Sequence, residues 1–442
     1  MRILAGLAAL AVIPALAGRA VRPVANAGIA WVFGFLVVSL AFALLHAARV
    51  PQAAAYAAIP VIAAMGGLAG GRWSGARTGP LPRLWTALVT VFALCMALET
   101  IWLPVDQWDA VALWYARARG LMQWRPLSDF ALPAYPDVGP SAWALMLTLT
   151  GVGNEPIARL VFPAVCVAWV SSLPLLFEHR GRAWRRPAVV VLFLIAVATF
   201  DFEAATSGYQ DPLVCAVAGI AAILLGRALL TGSEPPRRGQ VALGFFFAGS
   251  LGMIKLEGGF LGAVMIASWI VTFAATRGWR ALRAAVSGGA IALYAGLALL
   301  WPIIARLAGI DLTHAQGLVF EEVSARRLVD GVRRLPEIAR GFADVTPTYS
   351  LVFLSAIVAS LGAWRARWTR PILSWLWAVA AVHTAWITSL FMLTNVDLAW
   401  HINTALLRLV SEHAFVWVLA LAVSVVAVFD DYGRCRTSST SA

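Results

Sequence analysis

With 61% hydrophobic residues, 13% charged residues and a mean hydropathy of +0.80, this 442-residue chain cannot be a soluble globular enzyme or a water-exposed binding module. Its formal charge of +12 is spread over short clusters between apolar runs, so it excludes a nucleic-acid-binding patch and carries topology information instead. The composition and the repeated apolar runs define an all-α, polytopic transmembrane helical protein of about 12–13 spans with external juxtamembrane helices.

Residues 1–18 (MRILAGLAALAVIPALAG) join a charged start to an apolar run. The stretch reads as a retained span because runs at 26–47 and 51–70 follow directly, although a cleaved signal peptide has the same pattern. A fourth run at 84–104 closes an N-terminal block, 1–104, and leads into the first long polar interruption, 105–156.

That interruption carries, between residues 106 and 140, Asp106, Asp109, Asp129 and Asp137, with Arg117, Arg119 and Arg125 and three tryptophans, and is the expected catalytic loop. On a wheel of about 100° per residue, Val111, Trp114, Ala118, Leu121 and Met122 share one face of its opening helix, and Asp109, Arg119 and Gln123 the other. The helix is expected to lie in the interface with Asp109 toward water. The following segment 141–153 is too short to cross about 30 Å of hydrocarbon at about 1.5 Å per residue, so it reads as a juxtamembrane or re-entrant helix.

Further runs occupy 157–178, 188–203, 211–230, 240–256, 258–276 and 284–308, a central block of 157–308. A second external loop, 309–347, precedes the C-terminal block, 348–442, with runs at 348–364, 371–394 and 411–429 and a cytoplasmic tail. Arginines gather in every second connection: Arg180 to Arg186, Arg227 to Arg238, Arg277 to Arg283, Arg365 to Arg370, and Arg434 with Arg436. Those connections are expected to be cytoplasmic, which puts 105–156, 201–211, the corner at 255–257, 309–347 and 395–408 on the outer side. In the 309–347 loop, Glu322 with Arg326 and Asp330 with Arg334 stand at i, i+4, which reads as a solvated surface helix or as arginines gripping a phosphate. Cys95, Cys166, Cys215 and Cys435 have no metal-ligand spacing and are expected as free thiols.

Asp106 and Asp109 begin a helix, where a carboxylate caps free N–H groups; a carboxylate at Asp109 also suits a base or a metal ligand. Lys255 is the only lysine among 34 basic residues and stands two residues before Glu257 and a Gly-Gly pair. Its ammonium would hold a phosphate as a point charge, or else anchor at the interface or partner a carboxylate. Asp201, Glu203 and Asp211 read as solvated ends of spans or as a site facing Asp109. His401, beside Trp400, reads equally as a packed interfacial residue or as a ligand.

In this order, WDAVALWYARARGL, YPDVGPSAWAL and GVGNEPIARLVFPA resemble the first external loop and next span of the GT-C membrane glycosyltransferases, the group of the protein O-mannosyltransferases and lipid A aminoarabinose transferases. TSGYQDPLVCAVAGIAA, GMIKLEGGFLG and DLAWHINTALLRL are similar to later segments of that family, so the resemblance touches residues 100–410 in patches. It implies transfer of a sugar from a polyprenyl-phosphate donor to a glycan, lipid or protein acceptor, with inversion, on the outer face of a bacterial inner membrane. Asp109 takes the position of the catalytic aspartate, and Asp106, Asp137, Tyr209, Asp211, Lys255, Glu257 and His401 are the implied substrate-binding residues. The family's Asp-Glu pair is Asp109-Ala110 here, which removes one oxygen ligand and leaves a divalent metal ion an open alternative. The competing class is a transporter or flippase of lipid-linked sugars. It is disfavoured because the expected spans carry almost no charge at their centres.

Overall fold

Backbone polar groups in hydrocarbon are satisfied within a single segment only by helix, so long apolar runs dictate helices. In the computed structural model, which describes residues 2–21, 26–71, 83–105, 107–130, 132–180, 191, 193–196, 202–230, 236–312 and 325–439, every regular element is helical. Ten helical segments among these residues are long and apolar enough to cross a membrane, which makes the chain a multi-pass membrane protein. The larger number expected from the sequence counts three further runs. The one at 240–256 lies in a helix of 17 residues, that at 348–364 ends a much longer helix, and most of 188–203 lies outside the described residues.

The N-terminal half packs α1 (Arg2–Ala17), α2 (Ala27–Ala47), α3 (Gln52–Gly71) and α4 (Arg83–Trp102) around two later elements, α6 (Val138–Thr150) and α7 (Val161–Ser172). α5 (Ala116–Met122) lies against α6. The 13-residue α6 is buried along most of its length between α1, α2 and α5, about 20 Å of helix inside the bundle.

α8 (Gln210–Leu230) is the centre of the molecule. It is apolar all round, the pattern of a fully enclosed helix, and every one of its residues but Arg227 is buried. It packs against α7, α9 (Arg238–Ile254) and, near the other end of the chain, α15 (Ala414–Ser439). α9 turns into α10 (Leu256–Arg277) through the single extended residue Lys255, and packs along α11 (Gly288–Leu307). Gly258 and Gly262 allow this hairpin: a Cβ on either would stand 2.6 Å or 2.3 Å from a carbonyl oxygen of α9. The remaining helices are α12 (Ala325–Ala363), α13 (Arg370–Leu393) and the short α14 (Leu407–Ser411), which feeds α15.

Two expectations change. The 325–347 part of the 309–347 loop is not separate from the run at 348–364; both belong to α12, 39 residues or about 58 Å long, amphipathic first and apolar last. In it Asp330 pairs with Arg333 at 3.5 Å, while Arg334 donates to the carbonyl of Thr394 at 3.0 Å; Glu322 lies outside the described residues. The loop-opening helix keeps most of its wheel, with Trp114, Ala118 and Leu121 buried and Arg119 and Gln123 exposed, but Val111 is exposed within a wide π-type turn, Ala110–Tyr115, and Arg117 is buried.

The helix ends sort by chemistry. The connections with Arg227, Arg238, Arg277, Arg283, Arg365 and Arg370 lie at one end, and those with Asp109, Asp211, Lys255 and Glu412 at the other, separated by helices of about 33–36 Å. Exposed tryptophans mark both levels: Trp102, Trp108 and Trp400 at the acidic end, Trp279 and Trp364 at the arginine end. Between them, α4, α11 and α12 leave large apolar side chains such as Leu98, Leu299 and Leu361 exposed, as helices facing lipid do. Cys95, Cys166 and Cys215 are free thiols.

Candidate functional site

The site is built from four helix ends at the acidic level. Lys255, extended between α9 and α10, turns its ammonium into the bundle, where Asp211 of α8 accepts at 2.7 Å, Glu412 at 2.8 Å and Glu257 lies at 3.4 Å. All four side chains are buried, and one oxygen each of Glu257 and Glu412 has no hydrogen-bond partner. The cluster runs deeper through His383 of α13, whose Nε2 stands 3.9 Å from Glu412 and whose Nδ1 lies 3.0 Å from Nδ1 of His413. His383 is ten residues, about 15 Å, inside the end of its helix.

Arg408 of α14 joins this buried cluster to the surface. It is one turn before Glu412, so both point from one helical face. Its Nη1 donates to the carboxylate of Asp109, its Nε donates to the carbonyl of Thr404 at 3.0 Å, and its guanidinium lies over the Tyr209 ring at 5.4 Å. The pair is the open part of the site, with Arg408 28% and Asp109 21% exposed. Asp109 makes no capping bond to its own helix, so the ion pair accounts for its orientation. Burial pushes the Tyr209 phenol up to about 12, so it is a neutral platform at physiological pH.

A π-type turn stands beside each partner: Ala110–Tyr115 directly after Asp109, and Ile402–Leu406 two residues before Arg408. Such turns interrupt regular helices mostly where function needs a side chain re-aimed.

The loop between α5 and α6 closes over the cluster. Arg117 is buried against Asp137 and donates to the carbonyls of Leu132 at 3.1 Å, Pro133 at 3.3 Å and Tyr135 at 2.7 Å. Trp301 of α11 donates to the carbonyl of Ala134 at 2.7 Å, fixing the loop from the other side. Tyr135 thereby reaches the electrostatic range of Glu257, Lys255 and Arg408, and burial is the main reason its phenol is pushed up. At the start of α6, Gly139 lets Gln210 approach; a Cβ there would stand 1.7 Å from the Gln210 amide oxygen.

Of the residues expected from sequence, Asp109, Tyr209, Asp211, Lys255 and Glu257 come together. Asp137 stands one layer away, holding the loop through Arg117. His401 is peripheral: its Nδ1 is 2.9 Å from the Thr394 hydroxyl and its ring packs on Phe391. Asp106 and Asp201 lie outside the described residues. Sequence reasoning missed Arg408, Glu412, His383 and His413, although an acidic residue and two histidines inside apolar runs are themselves a signal of function in a membrane protein.

The donor set around Asp109 is one carboxylate and one guanidinium, and the three deeper carboxylates converge on an ammonium. No group of three or more His, Cys, Asp or Glu side chains among the described residues is arranged to hold a metal ion. An apolar cavity of about 400 Å³ opens between α1, α2, α3 and α6, lined by Leu10, Ile13, Phe35, Val38, Ile59 and Met146 among others. No family model matches the chain, and no curated protein or solved structure matches it.

Proposed function

We propose that this protein is an integral-membrane glycosyltransferase that moves a sugar from a polyprenyl-phosphate carrier to a hydroxyl of a glycan, lipid or protein acceptor. The observation that carries this reading is the placement of Asp109: a partly exposed carboxylate at the mouth of a buried charged cluster, at one end of helices long enough to cross a bilayer. A donor dissolved in the bilayer reaches such a position laterally, and the apolar cavity between α1, α2, α3 and α6 has the chemistry of an isoprenoid tail. The resemblance of the 108–121 stretch to GT-C enzymes supports the same assignment. The arginine-bearing ends suit the cytoplasmic side, so the acidic end faces the periplasm or exterior of a bacterial inner membrane.

In this mechanism Asp109 accepts the proton of the acceptor hydroxyl as its oxygen attacks the anomeric carbon. The bond from that carbon to the phosphate oxygen breaks with its electron pair leaving on the phosphate, and the configuration inverts. A positioned base of this kind contributes about 10²–10⁴-fold. Asp211, Glu257 and Glu412 fix Lys255, and with it the backbone corner on which the site rests.

The test is sugar transfer by purified protein in nanodiscs offered a panel of polyprenyl-phosphate sugars, with wild type compared with Asp109→Asn and with a chelator present or absent. Turnover that falls about 10²-fold or more in the variant is expected. Full activity in Asp109→Asn would remove the carboxylate from the chemistry. A second reading, movement of a charged or lipid-linked solute, is favoured by one observation, His383 buried inside α13 beside Glu412 and His413, which are buried at the junction of α14 and α15. Proteoliposomes that translocate the lipid-linked sugar without transferring it would select that reading.

A further inference from the structure

The cationic groups around the site differ in what they have left to give. Lys255 is enclosed by three carboxylates, and Arg117 by one carboxylate and three carbonyls. Arg408 is different. Its Nη1 meets Asp109 and its Nε meets a carbonyl, but its Nη2 makes no hydrogen bond among the described residues, and the side chain is 28% exposed. The Tyr209 ring supports the guanidinium face and leaves its edge open, the presentation that suits two parallel hydrogen bonds to a phosphate. Exposed Trp108 and Trp400, near Asp109 and Arg408 in the chain, place the pair at the level where aromatic side chains meet lipid headgroups.

We propose that Arg408 is the anion-binding residue of this site, and that Asp109 is its counter-ion only until an anionic phosphoryl headgroup arrives, so that binding the headgroup and freeing the carboxylate are one event. When a phosphate takes the Nη1 and Nη2 edge, Asp109 loses its partner and its oxygens are free to meet an incoming hydroxyl. Partly exposed ion pairs are weak, so the exchange meets little resistance. For the transfer reaction, on whose reading this consequence rests, the order of events follows: donor first, then acceptor.

The exchange is tested by binding alone, with no sugar and no acceptor, so that failure of the transferase reading leaves it untouched. Full-length protein in neutral phosphatidylcholine nanodiscs is titrated with undecaprenyl phosphate, with phosphatidic acid and with inorganic phosphate. Undecaprenyl phosphate is expected to bind wild type, to bind Arg408→Gln about ten-fold or more weakly, and to bind Asp109→Asn several-fold more tightly because the competing counter-ion is gone. Arg408→Lys, which keeps the charge without the planar fork, is expected between wild type and Arg408→Gln, and elution as a monodisperse peak checks that each variant folds. Equal binding of phosphatidic acid would assign the site to any lipid phosphate, and equal binding of inorganic phosphate to the free ion; both retain the anion site. Unchanged affinity in Arg408→Gln overturns the anion site. Affinity in Asp109→Asn that is unchanged or weaker than wild type overturns the exchange.

Discussion

Replacing Lys255 by methionine keeps most of the side-chain volume and removes one charge from the centre of three. The ammonium stands 2.7, 2.8 and 3.4 Å from Asp211, Glu412 and Glu257. At an effective dielectric of about 20, each contact is worth about 5–6 kcal/mol of gross attraction. Desolvation of several kcal/mol per ion opposes this, and removal of one partner from a buried ionic group costs about 3–5 kcal/mol in net stability. Lys255→Met is therefore expected to unfold at markedly lower temperature, measured as the fraction of monodisperse protein surviving a heating series in mild detergent. Lys255→Met combined with Glu412→Gln should recover part of the loss, because one uncompensated carboxylate is gone. Wild-type heat resistance in Lys255→Met, or no recovery in the double variant, would refute the reasoning that the lysine is the counter-ion of the cluster.

Four other variants probe the helix packing and the loop that set the site. Arg117→Lys should destabilise by about 3 kcal/mol and expose residues 123–137 to limited proteolysis, since an ammonium cannot reproduce one carboxylate contact and three carbonyl contacts from a planar fork. Trp301→Phe keeps an aromatic side chain but removes the buried N–H and part of the ring volume, leaving the Ala134 carbonyl without its donor; a loss of about 1–3 kcal/mol and a raised KM for the donor would show in heating and steady-state assays. Gly262→Ala places a Cβ 2.3 Å from the Ala248 carbonyl oxygen and should cost about 1–3 kcal/mol, whereas Gly296→Ala, with nothing near the added Cβ, should be neutral or stabilising by about 0.5–1 kcal/mol in the same heating series.

The helical, membrane-spanning character was legible because it depends on composition and run length, which a chain displays without its partners. Lys255 stood out as the only lysine of the chain, and Asp109 by its place at a helix start in the first long polar interruption. What could not be read was pairing. Arg408 lies 299 residues from Asp109 and Glu412 lies 157 from Lys255, and nothing local in either segment names the other. The wheel of the loop-opening helix held for Trp114, Ala118 and Leu121 and missed Val111, which lies in a π-type turn, an insertion in register invisible to a pattern that assumes a constant angle per residue. The long α12 was divided into loop and span because its first half is polar enough to be solvated, yet helix propagation does not stop where hydropathy changes.

The 299-residue separation between the two members of the surface pair also has a meaning in time. At about 5–20 residues per second, Asp109 leaves the ribosome roughly 15–60 s before Arg408 does. Through that interval the early helices can insert and settle while the carboxylate stands alone, and the central lysine still lacks its third acid. The site is thus completed by α14 and α15, made after every other helix described. A chain that stops short of them carries the aspartate but not the arginine opposite it.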